Sequence, residues 1–278
     1  MSMSVLRSVL YMPSSNERAL EKAKTIAADA IIFDLEDAVA PDAKEVARRN
    51  AVAAATSGEY AGKVLTIRCN GLDTPWGAAD LDAVAAAKPQ AVVVPKVSGA
   101  AHLDAITAVT GDLPIWAMVE TPAALFAVRD IASYPHVAAL VMGTNDLVKE
   151  LHAAMVPGRH PLLPHLAHAL LAARAADKPI LDGVFNDVKD PEGFLAECRQ
   201  GKEMGFDGKT LIHPSQVDGA NDTWAPSAEE VEHAQRVVAA FEEAARDGRG
   251  VVTVDGRMVE NLHRDIAVRT LATAARLS

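Results

Sequence analysis

Short apolar runs alternate with alanine-rich amphipathic stretches along most of this chain, and this alternation limits the possible folds more than any other feature. Each run is too short for a helix, and the alternation is typical of βα units in a parallel sheet. Eight runs are predicted as strands: residues 5–12, 29–35, 63–68, 90–96, 115–119, 138–142, 179–183 and 209–213. Eight units favour an α/β fold of the closed (β/α)8 (TIM) barrel type. An open doubly wound sheet is the alternative, disfavoured because no glycine-rich fingerprint follows the first strand.

The length fits one barrel with an extension. The chain has 278 residues, and a barrel of this kind takes about 250. We predict a barrel core over residues 1–225 and a C-terminal helix and tail extension over 226–278. Ser227 and Glu230 form a capping box for a helix to residue 246, and Gly248-Arg249-Gly250 opens the tail. A tail outside a complete barrel is expected to pack on a neighbouring subunit.

Charge and composition exclude several partners. The net charge of −10 argues against nucleic acid, which requires a dense basic surface. No apolar run approaches the length of a membrane span, and residues 1–4 lack the pattern of a signal peptide, so we expect a cytoplasmic protein without membrane contact. Cys69 and Cys198 are far apart, which indicates neither a zinc site nor a disulfide framework.

Two carboxylates are predicted at neighbouring strand ends. Glu120 follows the fifth apolar run and Asp146 follows the sixth, so both should face the mouth of one parallel sheet. Two buried acids side by side repel each other, and a divalent cation between them removes the repulsion. Hard oxygen ligands suit Mg²⁺ or Mn²⁺. Taken alone, each acid is better explained as a helix cap, and it is their shared placement at consecutive strand ends that favours the metal site.

Further charged side chains are expected at the same mouth. Arg68 ends the third run, where its guanidinium could bind a substrate carboxylate or carbonyl in a bidentate manner, or form a structural ion pair with Glu36 or Asp37. Glu36 and Asp37 follow the second run and are interpreted as holding metal-bound water rather than the ion itself. We count Asp37 among the catalytic candidates and Glu36 among the substrate-binding ones.

Several segments carry a family resemblance. They are residues 7–16 (RSVLYMPSSN), 33–41 (FDLEDAVAP), 119–122 (VETP), 143–147 (GTNDL) and 208–214 (GKTLIHP). In this order they resemble the HpcH/HpaI aldolase and citrate lyase β-subunit family, over nearly the whole chain. The resemblance implies a Mg²⁺-dependent carbon–carbon lyase that acts on a malyl-, citramalyl- or citryl-CoA type thioester and yields a 2-oxo acid and an acyl-CoA.

The resemblance also implies roles for individual residues. Glu120 and Asp146 would bind the metal, Arg68 would hold the oxo-acid half, and the turn Gly143-Thr144-Asn145 would contact the substrate. The family places a tail carboxylate from an adjacent subunit over the site, in a homotrimer or homohexamer. Here that motif reads Asp255-Gly256-Arg257-Met258-Val259-Glu260, with Glu260 in place of an aspartate.

The phosphates of the coenzyme A moiety are expected to require cationic side chains. Arg18 and Lys22 on the first helix are candidates for binding coenzyme A, although either one alone is better explained as part of a solvated helix face. The departure at Glu260 keeps a malyl-CoA thioesterase open as an alternative reaction on the same site. A non-catalytic lyase subunit that depends on a carrier protein is the other alternative. Aldolases that act independently of coenzyme A usually rely on a histidine early in the chain. The first histidine here is His102, which lies on a predicted helix, so this reaction is disfavoured.

Overall fold

Eight parallel strands close into a barrel in the computed structural model, which describes residues 5–246 and 252–277. The strands are β1 (Ser8–Pro13), β2 (Ala30–Asp34), β3 (Val64–Arg68), β4 (Ala91–Val94), β5 (Ile115–Val119), β6 (Val137–Met142), β7 (Ile180–Asp182) and β8 (Gly208–Leu211). Each strand pairs with the next in the sequence, and β1 also pairs with β8. The predicted barrel is confirmed and the open sheet is wrong.

Helices follow the strands as the βα repeat requires. They are α1 (Glu17–Ala23), α2 (Lys44–Thr56), α3 (Gly77–Ala87), α4 (Ala100–Thr110), α5 (Pro122–Ser133), α6 (Thr144–Glu150), α7 (Leu163–Ala175), α8 (Pro191–Met204) and α9 (Val217–Trp224). The prolines after residue 156 divide the long helical region as expected, with a short 3₁₀ turn at Pro157–Arg159 between α6 and α7. Helix α9 was not predicted.

Apolar side chains fill the inside of the barrel. Val9, Ile32, Val93, Met118 and Val141 belong to one buried cluster. Parallel strands are covered on both faces, which is why each strand reads as a nearly continuous apolar run. The interior is therefore a packed core, and polar side chains collect at the carboxyl ends of the strands.

The chain divides into two compact units, of which Leu6–Asn221 contains the whole barrel. In the second unit, α10 (Ala228–Arg246) and α11 (Asn261–Leu277) share a buried cluster with the hairpin of β9 (Val252–Val254) and β10 (Arg257–Val259). The hairpin was not predicted, although Asp255-Gly256 between two apolar triplets is a hairpin signal. Both turn residues have positive φ, 49° and 76°.

Some expectations lie outside the described residues. The predicted tail opening at Gly248-Arg249-Gly250 and the N-terminal residues 1–4 are among them. In the described part of the chain, no helix combines the length and the apolar character needed to cross a membrane. Packing of the extension on a neighbouring subunit stays a prediction.

Candidate active site

A cavity of about 260 Å³ lies at the carboxyl ends of the strands. Its lining includes seven predicted site residues: Asp37, Arg68, Glu120, Gly143, Thr144, Asn145 and Asp146. Tyr11, Asp34, Met118 and Thr210 complete much of the wall. The structure therefore brings the side chains that follow β2, β3, β5 and β6 to one place.

Glu120 is held at the cavity by a hydrogen bond from the loop that follows β4. It follows β5 directly, is 2% exposed, and accepts a hydrogen bond from the Lys96 backbone N–H at 2.7 Å. Thr121, rather than Glu120, caps α5 by accepting from the Ala124 N–H. Asp146 lies in the first turn of α6, three residues beyond Gly143. The alternative in which both acids cap helices is therefore wrong.

Gly143 is required for space rather than for backbone freedom. The registered pair Val119 and Met142 brings Gly143 beside Glu120, so an added Cβ would overlap the Cβ and Oε2 atoms of Glu120. The Cβ of Glu120 cannot swing away as the end of a flexible side chain could. Any other residue at position 143 must therefore displace the carboxylate or the backbone.

Gly143→Ala is expected to reduce turnover roughly 100-fold and to lower the free energy of unfolding by about 1–3 kcal/mol, because the methyl group overpacks the wall at Glu120. Steady-state kinetics and urea unfolding measure the two effects. Gly71→Ala is the matched control, because its Cβ would meet the end of the exposed Asp73 side chain, which can rotate away. Normal turnover in Gly143→Ala would show that the position of Glu120 is unimportant.

Two carboxyls at or beside the cavity have raised pKa values. Burial raises the pKa of Glu120 to about 8, with contributions from Glu36 and Asp146, while the Lys96 N–H and Arg68 act in the opposite direction. Burial also raises the pKa of Glu36 to about 7, against the effect of Arg68. Both carboxyls thus lack enough positive charge nearby to ionise in their ordinary range.

Arg68 is fixed by a partner that the sequence analysis did not select. Its Nε and Nη2 each donate to Asp34 at 2.7 Å, which forms a bidentate pair buried at both ends. Burial opposes ionisation of Asp34, but Arg68 holds the pKa of that carboxyl below its usual range. The signal was present in the strand ends, since β2 and β3 align Asp34 with Arg68. Tyr11 supports the guanidinium from one face, 4.7 Å from ring centre to Cζ.

Glu36 and Asp37 differ in their environment. Glu36 does not line the cavity; its Oε2 lies 2.8 Å from Arg68 Nη1 without hydrogen-bond geometry. Asp37 lines the cavity, with a side chain 65% exposed and 3.4 Å from the same nitrogen. The predicted ion pair of Arg68 with these two acids exists, but it is secondary to the pair with Asp34.

A buried lysine anchors the loop that carries Glu36. Lys44 Nζ donates to the backbone oxygens of Leu35 and Glu36, both at 2.8 Å, and to Asn70 Oδ1 at 2.7 Å. These three acceptors satisfy a charge that would otherwise be costly to bury. The loop after β2 is therefore held against the loop after β3.

Besides Glu36, three further predicted residues are not among those that line the cavity. Arg18 and Lys22 are exposed on α1 and do not line the cavity. Glu260 belongs to the second unit, where it precedes α11 and its side chain is exposed. Its backbone N–H donates to His263 Nδ1 at 2.9 Å. The roles predicted for these three residues stay predictions.

The donor set at the cavity fits a hard divalent cation better than a soft one. Glu120 and Asp146 offer carboxylate oxygens, and the pKa of Glu120 is raised by burial first and then by the neighbouring acids Glu36 and Asp146, whose charge a cation would offset. Within residues 5–246 and 252–277, no three His, Cys, Asp or Glu side chains gather as a complete metal cage. Two carboxylates with water and substrate completing the shell is the usual arrangement for Mg²⁺.

A (β/α)8 barrel with acids and an arginine at its carboxyl-end cavity is the architecture of a barrel enzyme. The profile of the HpcH/HpaI aldolase/citrate lyase family matches residues 7–214, and that of the carbon–carbon bond lyases of the TIM-barrel fold matches residues 162–277. The chain belongs to the HpcH/HpaI aldolase/citrate lyase family, as the sequence resemblance predicted. Aldolases and citrate lyase are carbon–carbon lyases, and this is the class of enzyme to which the fold and the site belong.

Named relatives extend over nearly the full chain. The (3S)-malyl-CoA thioesterase of Cereibacter sphaeroides is 54% identical over 96% of this chain and 94% of its own length. The citrate lyase β subunit of Escherichia coli is 35% identical over 96% and 93%. A crystal structure of CitE from Mycobacterium tuberculosis with magnesium, acetoacetate and coenzyme A has a TM-score of 0.82 and 30% identity, covering 96% of this chain and 97% of that one.

Proposed function

We propose that this protein is a Mg²⁺-dependent or Mn²⁺-dependent enzyme that hydrolyses (3S)-malyl-CoA to malate and coenzyme A. The observation that carries the proposal is the single cavity that contains Glu120, Asp146 and Arg68 together. The reaction is taken from the thioesterase relatives at 54% identity, since the geometry is compatible with either hydrolysis or cleavage of a carbon–carbon bond. This choice reverses the order of the two reactions in the sequence analysis.

Glu120 and Asp146 are the residues that would hold the metal. The bound ion would polarise the carboxylate and hydroxyl oxygens of the malyl group and lower the pKa of water at the site. A related protein was crystallised with magnesium and coenzyme A, which supports this assignment without establishing it for this chain. Asp37, which lines the cavity, would orient water there by accepting its hydrogen bonds, and the same role is proposed for Glu36 on the same loop.

Arg68 would bind the malyl carboxylate. Asp34 occupies only part of the donor set of the guanidinium, and the side chain still faces the cavity. Because Asp34 and Tyr11 fix the guanidinium beforehand, little conformational freedom is lost when substrate binds. Gly143, Thr144 and Asn145 would complete the wall around the acid end of the substrate.

In the hydrolytic reaction, water forms a bond to the thioester carbonyl carbon and the carbon–sulfur bond breaks, releasing coenzyme A as a thiol after protonation. Glu260 is proposed to move this proton in the site of a neighbouring subunit, because its side chain is exposed in its own subunit. A homotrimer or homohexamer would place it there. Arg18 and Lys22 are proposed to meet the phosphates of coenzyme A.

Carbon–carbon cleavage is the second candidate, favoured by the family match and the citrate lyase relatives. In that reaction the bond between the hydroxyl-bearing carbon and the methylene carbon breaks. The hydroxyl group loses its proton and becomes the carbonyl of glyoxylate, and the methylene carbon keeps the electron pair and is protonated to give acetyl-CoA. Arg68 and the two metal-binding acids would keep the same roles. The two reactions therefore differ in products rather than in the residues that bind substrate.

Product analysis separates the two reactions. The purified full-length chain with Mg²⁺ and (3S)-malyl-CoA is expected to release malate and free thiol in equal amounts, without glyoxylate or acetyl-CoA. Chromatography of the products and a thiol assay provide the measurement. Glyoxylate with acetyl-CoA would establish the lyase instead. Absence of any turnover with Mg²⁺ or Mn²⁺ would reject both reactions and favour a subunit that depends on a carrier protein.

A further inference from the structure

We propose that Lys96 is a positioning residue that acts as the internal counter-ion of the acidic site and competes with a divalent cation for the same carboxylates. The inference rests on the proposed metal site at Glu120 and Asp146. It assigns a role to a lysine that follows a strand, a position at which a lysine is often only a solvated anchor.

Lys96 contacts or approaches acids that follow three different strands. Its backbone N–H donates to Glu120 Oε1 at 2.7 Å. Its Nζ lies 3.9 Å from Glu36 Oε1 and 3.9 Å from Asp146 Oδ1. One residue therefore holds Glu120 through its backbone and draws Glu36 and Asp146 together through its charge.

The backbone of Lys96 is strained in a way that this contact explains. Its φ is 49°, in the left-handed region that is unfavourable for a residue with a Cβ. Pro95 has no N–H, so Lys96 provides the first backbone donor after β4. Strain of this kind persists where the surrounding structure imposes it, often at functional sites.

The distances between Lys96 Nζ and the acids are long enough for a divalent cation to displace the ammonium group. Both 3.9 Å separations exceed hydrogen-bond length, and the side chain is 49% exposed, so the attraction is Coulombic and partly screened. A divalent cation at the carboxylate oxygens has twice the charge and would repel the ammonium from between the acids. Lys96 thus partly neutralises the acids in the absence of metal and weakens the binding of metal when it arrives.

Lys96→Met removes the charge, keeps an unbranched side chain only one atom shorter, and leaves the backbone N–H on Glu120. We expect Mg²⁺ and Mn²⁺ to bind roughly three- to tenfold more tightly to this variant, as measured by calorimetry on the full chain without substrate. The gain should shrink at high salt. Lys96→Arg retains the charge and should bind metal within about twofold of the unsubstituted protein.

Lys88 provides the matched control. It is also a left-handed lysine, with φ 50°, and it is exposed before the opposite end of β4. Lys88→Met removes the same charge from the same backbone conformation, but far from the acids. Its metal affinity should stay within about twofold of the unsubstituted protein. Thermal unfolding confirms that each variant folds.

The outcomes distinguish the two proposals. If the unsubstituted protein binds metal and Lys96→Met binds it equally or more weakly, Lys96 is not a competing counter-ion, although the metal site stands. If neither protein binds a divalent cation, the metal site and the role of Lys96 both fail. Tighter binding in Lys96→Met, with no change in Lys88→Met, establishes the inference.

Discussion

Glu120→Gln is expected to abolish measurable binding of Mg²⁺ and Mn²⁺ and to reduce turnover roughly 1000-fold. The amide loses the charge that attracts the cation, and the loss of several kcal/mol of transition-state stabilisation corresponds to a factor of this size. The fold should survive, because glutamine has nearly the same shape and its Oε1 can still accept from the Lys96 N–H. Calorimetry and steady-state kinetics provide the two measurements.

Although Glu120→Gln should lose activity, its free energy of unfolding near neutral pH should be higher than that of the unsubstituted protein. The folded protein raises the pKa of Glu120 to about 8, so the folded state binds a proton that the unfolded state has already released. In metal-free protein, stability due to this group is fully present below its unfolded pKa of about 4.3. It then falls as pH rises toward 8, by at most about 1.4 kcal/mol per pH unit. Glu120→Gln removes that decline, as urea unfolding in chelator from pH 5 to pH 8.5 would reveal.

Glu150→Gln is the control for this variant. Glu150 is exposed at the end of α6, the helix that carries Asp146, and it does not line the cavity. Its substitution removes one negative charge from the same region without changing the site. Tight metal binding in Glu120→Gln, or equal loss of activity in both variants, would contradict the assignment of Glu120 as a metal ligand.

Arg68→Lys is expected to lower kcat/KM roughly 100-fold and the free energy of unfolding by about 2 kcal/mol. A lysine ammonium cannot reproduce the planar fork that binds both oxygens of Asp34 and still presents donors to the cavity. The two effects have different origins, since the loss of activity comes from substrate binding and the loss of stability from a buried pair with poorer geometry.

The chain offers a matched pair at the other end of the barrel. Arg7 donates from Nε and Nη2 to both oxygens of Asp29, at 2.9 and 2.7 Å, just before β1 and β2 begin. Arg7→Lys should lower the free energy of unfolding by about 1 kcal/mol, because this pair is less buried, and should leave kcat/KM within about twofold. Similar losses of activity in both variants would show that Arg68 acts through stability alone.

The positions of most candidate residues were predictable because strand ends in a closed parallel barrel share one mouth. The sequence placed Glu120 after β5 and Arg68 at the end of β3, and both line the cavity. Asp146 illustrates the limit, since it lies within the first turn of α6 rather than at the end of β6. The turn of helix still directs it to the same cavity.

Other features depended on contacts between segments distant in the sequence. Nothing local distinguishes Asp34 from Glu36 and Asp37 as the main partner of Arg68; the register of β2 with β3 decides it. The requirement for glycine at position 143 likewise appears only when β6 lies beside Glu120. The same is true of Lys96, whose left-handed backbone is explained by the acid that it holds.

By itself, the sequence determined the number and direction of the strands and the end of the barrel at which chemistry can occur. Apolar runs of strand length, separated by helical segments, permit few other arrangements. Only the tertiary structure decided which carboxylate pairs with Arg68 and which carboxyls lack a sufficient counter-charge and have raised pKa values. Those properties depend on burial and on distances of a few ångströms between strands, which no local pattern of residues specifies.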